Sequence, residues 1–293
     1  QEQTETENYA LTVFTAQERK EWEPVIKEVE ERTGWNVRVE TGSAKEMLSQ
    51  LEKEEADWDV AFGVSADALE EGKEYWQTGK DAWTGYSAVS FVILYNTNVV
   101  TYRELPTGWD SLLEPRWKGR VAVPDPLKSD MAASVLTEAA KNSEKEEFLD
   151  LLAENMQYQM PETFKEVEQG ISDGRYSIGV TSEEAAKAML AAGQDVDYID
   201  PEEGECFFED GTAIRKRTPN LDASEAFVTY TTCDDTKWLL RTQLLRQPAE
   251  DVAAENDRSD EELKQRYSRQ QEVLNIWKLI MEEKTGPAHE QEQ

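Results

Sequence analysis

Five short segments of this chain gather hydroxyls, small residues and backbone N–H groups in patterns suited to holding a ligand. They are Thr15-Ala16-Gln17, Thr41-Gly42-Ser43-Ala44, Gly63-Val64-Ser65-Ala66, Pro126-Leu127-Lys128-Ser129 (running on to Asp130-Met131) and Thr181-Ser182-Glu183. Ser and Thr hydroxyls donate or accept hydrogen bonds, and glycine lets the backbone approach closely. A helix starting at such a segment adds partial positive charge, which favours an anion. Each segment alone reads equally well as an ordinary N-cap or turn; five of them, drawn from both halves, point to a shared cleft. Bond-making chemistry is poorly provided for. Glu183 and Glu184 are a possible carboxylate pair, but neighbours on a helix point about 100° apart. The single histidine, His289, lies in the tail GPAHEQEQ, and neither G-x-S-x-G nor H-E-x-x-H occurs. No catalytic residue, metal set or cofactor is expected.

The elements that must position these segments follow from periodicity. Trp22, Val25, Ile26 and Val29 recur at i, i+3, i+4, i+7, one face of a helix. Trp35, Val37 and Val39 alternate as a half-buried strand does. Ala44, Met47, Leu48 and Leu51 give a second helix, Val60-Ala61-Phe62 a third strand, and Ala66 with Leu69 another short helix. This β-α-β-α-β order implies a parallel sheet flanked by helices, where ligands bind beyond the carboxyl ends of the strands. Ser90 to Tyr95 is the most apolar strand. After a proline-punctuated stretch the theme repeats: strands at 119–123, 176–181 and 196–199, with helices around Val135, Leu152, Val167 and Ala188. Beyond a short strand at 211–214 the chain reads as mostly helical.

Composition narrows the partners. With 62 Asp+Glu against 31 Lys+Arg the formal charge is −31. Such a field repels nucleic acid and anionic lipid over about 8 Å at physiological salt. Nine Trp, ten Tyr and eight Phe argue for a folded chain despite 32% charged residues. No apolar run approaches the ~20 residues of a membrane span. The opening QEQTETEN reads as a flexible tether, or as a chain beginning after a processed signal. Cys206 and Cys233 either pair or remain two thiols; the expectation is a disulfide, which an exported protein permits.

These segments in their order resemble the type II solute-binding proteins of ABC importers, in the group of ferric-iron, phosphonate and organophosphate binders. VFTAQ is similar to the first strand and binding loop of that family, and ERTGWNVRVETGSAKEMLSQLEKE to its second strand and Gly-Ser loop. DVAFGVSADALEEGKE, WTGYSAVSFVILYNTNVV, LPTGWDSLLEPRWKGRVAVPDPLKS, GRYSIGVTSEEAA and EDGTAIRKRTPNLDASEAFVTY follow in the family's order. The resemblance spans some 270 residues.

It implies an α/β clamshell of two lobes, each a mostly parallel sheet flanked by helices, joined by crossing strands. The first lobe would take 8–92 plus about 216–250, and the second 93–215 plus about 251–286, with flexible tails at 1–7 and 287–293. The solute would meet Thr15, Ala16, Gln17, Gly42, Ser43, Ala44, Gly63, Val64, Ser65 and Ala66 from one lobe. Ser129, Asp130, Met131, Thr181, Ser182 and Glu183 would come from the other, and Tyr86 matches a segment near the cleft. The implied protein is a monomer, extracellular or periplasmic and lipid-tethered, that delivers a small solute to a membrane permease. A ligand-sensing receptor domain is the alternative role. Ferric-binding relatives place a His after the first strand and a Tyr-Tyr pair after the GRYSIGV-like strand, where this chain has Glu18 and Glu183-Glu184. Helix N-termini at hydroxyl-rich tips favour an anion such as a phosphonate, organophosphate or ferric chelate, with the acids at those helix starts read as outward caps, ahead of a cationic solute such as a polyamine.

Overall fold

The computed structural model describes residues 9–77, 81–252 and 259–285. The expected tails at 1–7 and 287–293, and His289, lie outside the described residues. In chain order the elements begin β1 Leu11–Thr15, α1 Arg19–Thr33, β2 Val37–Thr41, α2 Ala44–Glu52, β3 Val60–Ser65 and α3 Ala66–Glu71. The long strand β4, Thr84–Asn96, leads to β5 Val121–Ala122, α4 Asp130–Asn142, α5 Phe148–Asn155 and α6 Phe164–Ser172. Then come β6 Ile178–Ser182, α7 Glu183–Ala191, β7 Val196–Ile199 and β8 Cys206–Ile214. The chain finishes with α8 Leu221–Thr231, α9 Asp234–Leu239, β9 Gln247–Pro248, α10 Ala249–Val252 and α11 Asp260–Thr285.

Two compact α/β units result. Unit 1 holds the chain up to Ala88 together with Glu209–Gln265, and unit 2 holds Val89–Phe208 with the residues from Arg266 onward. The divisions fall inside β4 after Ala88, inside β8 after Phe208 and inside α11 after Gln265, where 92/93, 215/216 and about 250/251 are expected from sequence. Pairing explains the difference: Asp210 to Ile214 are laddered antiparallel onto β3, from Ser65↔Asp210 to Val60↔Ile214, and so belong to the sheet of unit 1. In β4, Ser87 and Ala88 pair with β9, whereas Phe91 to Tyr95 pair with β6.

In unit 1, β2 and β3 flank β1 in parallel, so three strand ends leave the same edge of the sheet. Helix α1 begins where the Glu18 N–H donates to Glu21 Oε2 at 3.0 Å and the Glu21 N–H to the Glu18 carbonyl at 2.9 Å, and it ends at Gly34, whose φ of 70° only glycine adopts cheaply. Trp35, expected in the strand, instead donates its N–H to Thr33 Oγ1 at 3.1 Å, and this turn delays β2 to Val37. Val25, Ile26 and Val29 face Leu11, Val13, Val60, Phe62 and Phe227 in one apolar core. In unit 2, β5 and β6 are parallel and β4 runs against both β6 and β7. Its core gathers Phe91, Trp109, Leu136, Phe148, Ile178 and Trp277.

The expected disulfide is absent: both cysteines are free. Cys206 enters β8 within the apolar core of unit 2, where burial raises its thiol. Cys233 is the N-cap residue of α9 in unit 1, its Sγ 3.5 Å from Thr236 Oγ1. Each thiol already has a local structural place.

Candidate solute-binding site

The end of β1 is the most elaborate of the strand tips. Thr15 is buried, accepts the Gln17 N–H on Oγ1 at 3.2 Å, and accepts the Gly42 N–H on its carbonyl at 3.1 Å. That last bond joins the tips of β1 and β2. Gly63 sits at a bulge in β3 with φ of 63°, and a Cβ there would come within 2.4 Å of Gln17 Cδ. Thr15, Gln17, Gly42 and Gly63 are thus brought together, three tips meeting at one place. Ala16 is half-buried between them.

Beneath this surface lies a charged network that the sequence did not reveal. Gln17 Nε2 donates to Asp210 Oδ2 at 2.9 Å. Asp210 Oδ1 accepts from Ser87 N–H at 3.1 Å and from Ser87 Oγ at 2.7 Å. Arg246 completes the set, with Nη1 at 2.7 Å from Asp210 Oδ2 and 2.9 Å from Ser87 Oγ, and Nη2 at 2.8 Å from Glu21 Oε1. The Asp210 and Arg246 side chains are 0% and 3% exposed. Burial raises the Asp210 carboxyl, with Arg246 pulling against it. Burial also opposes ionisation of Glu21, but there the Arg246 guanidinium outweighs it and holds the carboxyl below its ordinary range. Two adjacent acids, Glu209 and Asp210, inside the strand CFFEDGTAI are the sequence signal that could have pointed here.

Two polar atoms near this network lack partners. Gln17 Oε1 and the Tyr86 hydroxyl are both shielded, with no hydrogen-bond partner among the described residues. Leaving such a group unpaired costs about 1–3 kcal/mol. Tyr86 belongs to the core, its ring 4.7 Å from Phe62; burial raises its hydroxyl, with Asp210 adding to the rise.

The other tips of unit 1 are N-caps or interior. Ser43 caps α2, accepting the Glu46 N–H at 3.2 Å while Glu46 Oε2 takes the Ser43 N–H at 2.7 Å. Ala44 is buried under it, and Val64, Ser65 and Ala66 are all buried at the β3–α3 junction. An open hollow of about 280 Å³ lies beside Gly42, lined also by Phe14, Glu46 and Gln50.

In unit 2, parallel β5 and β6 send both of their tips from one edge. Ser129 caps α4 by accepting the Ala132 N–H at 3.2 Å, Asp130 opens the helix, and Met131 packs half-buried on the core. Thr181 is turned inward and donates to Glu168 Oε1 at 2.8 Å. Ser182 caps α7, accepting from Ala185 N–H at 3.1 Å. Glu183 is held by Lys187 at 2.8 Å and accepts from Ser90 at 3.3 Å and Tyr198 at 3.5 Å. Glu184 lies 3.3 Å from the same ammonium. Hydrogen bonding to Glu183 raises the Lys187 amine, and burial raises the Tyr198 phenol. Among the described residues no group of three or more His, Cys, Asp or Glu side chains is arranged to hold a metal ion.

Two α/β units, with the division between them falling inside β4, β8 and α11, and hydroxyl-rich strand ends in each, are the features to set beside known proteins. Residues 63–271, well over half of the chain, match the model of a bacterial extracellular solute-binding protein, and the chain belongs to that family. It is the binding component of an ABC importer, placed outside the cell or in the periplasm. No curated protein matches the chain. Solved structures do. The chain is similar to a ferric-binding protein from Campylobacter jejuni at 17% identity and TM-score 0.73, covering 92% of this chain and 99% of that one. It is similar to the periplasmic binding protein AfuA from Actinobacillus pleuropneumoniae, bound to exogenous fructose-6-phosphate, at 14% identity and TM-score 0.75, over 93% and 98% of the two chains. Iron-bound HitA from Pseudomonas aeruginosa follows at 16% identity and TM-score 0.72, over 92% and 98%. At these identities the likeness is one of fold. No helix among the described residues is long and apolar enough to cross a membrane.

Proposed function

We propose that this binding component captures a small anionic solute, a phosphate or phosphonate ester or an anionic metal chelate. Its contacts come from the tips at Thr15 to Gln17, Gly42 to Ala44, Gly63 to Ala66, Ser129 to Met131 and Thr181 to Glu183. It acts as a lipid-tethered monomer handing the solute to a membrane permease, and performs no chemistry on it. The observation that carries the choice of an anion is the placement of the acidic residues at these tips. Glu18 is exposed and lies 2.9 Å from Lys20, while Lys187 takes both Glu183 and Glu184. With those charges engaged, the positive dipole ends of α2, α4 and α7 are the stronger attraction. The fructose-6-phosphate bound to AfuA is in keeping with this class. A direct tyrosinate iron site is not supported, because Glu183-Glu184 stand where the tyrosine pair would be.

A cationic solute is the second reading, favoured by the acceptor that Gln17 Oε1 leaves unpaired. A thermal-shift screen across phosphonates, sugar phosphates, ferric chelates and polyamines tests the choice. Stabilisation by a phosphate, phosphonate or chelate is expected; stabilisation by polyamines alone would overturn it.

A further inference from the structure

Asp210 decides which end of the Gln17 amide is available. A carboxylate accepts hydrogen bonds, so the amide edge facing it at 2.9 Å must be Nε2. Asp210 is not free to turn away. Ser87 fixes Oδ1 through its N–H and Oγ, and Arg246 Nη1 fixes Oδ2 at 2.7 Å. Gly63 lets Gln17 lie flat across the β3 bulge, where any Cβ would strike Cδ at 2.4 Å. The Gln17 side chain is therefore held from two directions, only 8% exposed, with Oε1 uncommitted among the described residues.

We infer that Asp210 is a specificity-determining positioning residue: by locking the Gln17 amide, it makes the end of β1 a hydrogen-bond acceptor, so the solute group met there is a donor. An alcohol hydroxyl or a protonated amine fits; a bare phosphate or phosphonate oxygen does not. This rests on the reading above that the β1 tip touches solute. It refines that reading to an anion that also carries a hydroxyl or amine next to Gln17, with the anionic oxygens held elsewhere. Asp210 itself never touches the solute.

Calorimetric titration of the full chain with glucose 6-phosphate, spermidine, sulfate and methylphosphonate tests this at about pH 9, where sulfate and the methylphosphonate dianion stand in for a bare phosphate or phosphonate because neither carries an O–H. A donor-bearing probe should bind more tightly than these two. Gln17→Leu should weaken it by about tenfold or more, the scale of one lost hydrogen bond to a fixed polar group, and leave the donor-free anions within about twofold. Glucose 6-phosphate as the tight probe identifies a hydroxyl, and spermidine an amine. Equal or tighter binding of sulfate or the methylphosphonate dianion, or a donor probe indifferent to Gln17→Leu, overturns the inference while leaving solute capture intact. Failure of all four probes counts against the proposed ligand class. In that case the side-chain amide NMR signal of Gln17, assigned by its loss in Gln17→Leu, decides the inference. Amide protons protected from solvent exchange uphold the lock; exchange at the rate of a free amide overturns it.

Discussion

Arg246 Nη1 stands 2.7 Å from Asp210 Oδ2, with both side chains almost wholly out of contact with solvent. Removing one member of such a pair leaves an uncompensated buried charge, which costs about 3–5 kcal/mol. Arg246→Met strands both Asp210 and Glu21 and should lose stability on that scale in urea unfolding. Arg246→Lys keeps the charge but cannot span Asp210, Ser87 and Glu21 as the guanidinium fork does, so an intermediate loss is expected. A loss below about 1 kcal/mol in Arg246→Met would show that the network does not hold unit 1 together.

The same network sets an acid response whose two carboxyls have opposite signs. Glu21 is depressed on folding, since Arg246 outweighs the opposing burial. Its contribution is present above the unfolded value of about 4.3 and is lost as pH falls through the lower folded value. Asp210 is raised, chiefly by burial. Its contribution is present below the unfolded value of about 3.9 and is withdrawn as pH rises through the raised folded value. Glu21→Gln removes the first and keeps the second. Between about pH 5 and pH 3 the variant should therefore lose less stability than the parent, read from urea midpoints. Parallel curves would mean that Glu21 is not ionised against Arg246.

Gly63 joins the network to the tip above it. Its φ of 63° disfavours any side chain, and an added Cβ meets Gln17 at 2.4 Å. Gly63→Ala should cost about 1–2 kcal/mol from the left-handed backbone, and it should displace Gln17 from Asp210. A crystal structure of the variant with Gln17 still 2.9 Å from Asp210 would refute the second part.

The two thiols should behave differently although neither is bonded. Cys206 is buried and raised by that burial, whereas Cys233 is partly exposed at the start of α9. A thiol-reactive chromophore is expected to label one cysteine in the native protein and both in denaturant, with or without reductant. Fewer than two thiols in denatured, unreduced protein would contradict the free state.

What could be read from the sequence divides along a physical line. The strand tips were legible because β-α-β patterning is local: Val13, Val60 and Ile26 announce their elements within a few residues, and the tips follow where each strand stops. The roles of Ser43, Ser129 and Ser182 as N-caps could also be foreseen, since capping depends on the next three residues. The Asp210–Arg246 pair could not, because its partners lie 36 residues apart and no local period connects them. Glu21, in the first turn of α1, and Ser87, within β4, carry no sequence pattern that links them to it. The division between the units was misplaced in β8 for a related reason: Glu209 and Asp210 look like turn residues, yet the strand runs through them, with Asp210 satisfied by three side chains from elsewhere in unit 1.

Lys187 offers the sharpest test of solute charge. Its ammonium is 2.8 Å from Glu183 and 3.3 Å from Glu184 at the start of α7, the helix whose N-terminus follows Thr181-Ser182. The ammonium is about half exposed, so its pairing adds less than about 1 kcal/mol to stability. Its effect on a ligand is another matter. A like charge about 4 Å from an anion costs on the order of 4 kcal/mol at an effective dielectric of 20, and solvent screening reduces this at an exposed position. Lys187→Met should therefore leave the melting temperature nearly unchanged yet weaken an anionic solute by about tenfold or more at low salt, with the deficit shrinking as salt rises. The variant Glu183→Gln/Glu184→Gln/Lys187→Met, which removes the carboxylates as well, should restore most of the affinity. If Lys187→Met binds the anion as well as the parent, α7 does not face the solute; if the variant instead gains affinity for a polyamine, the solute is a cation.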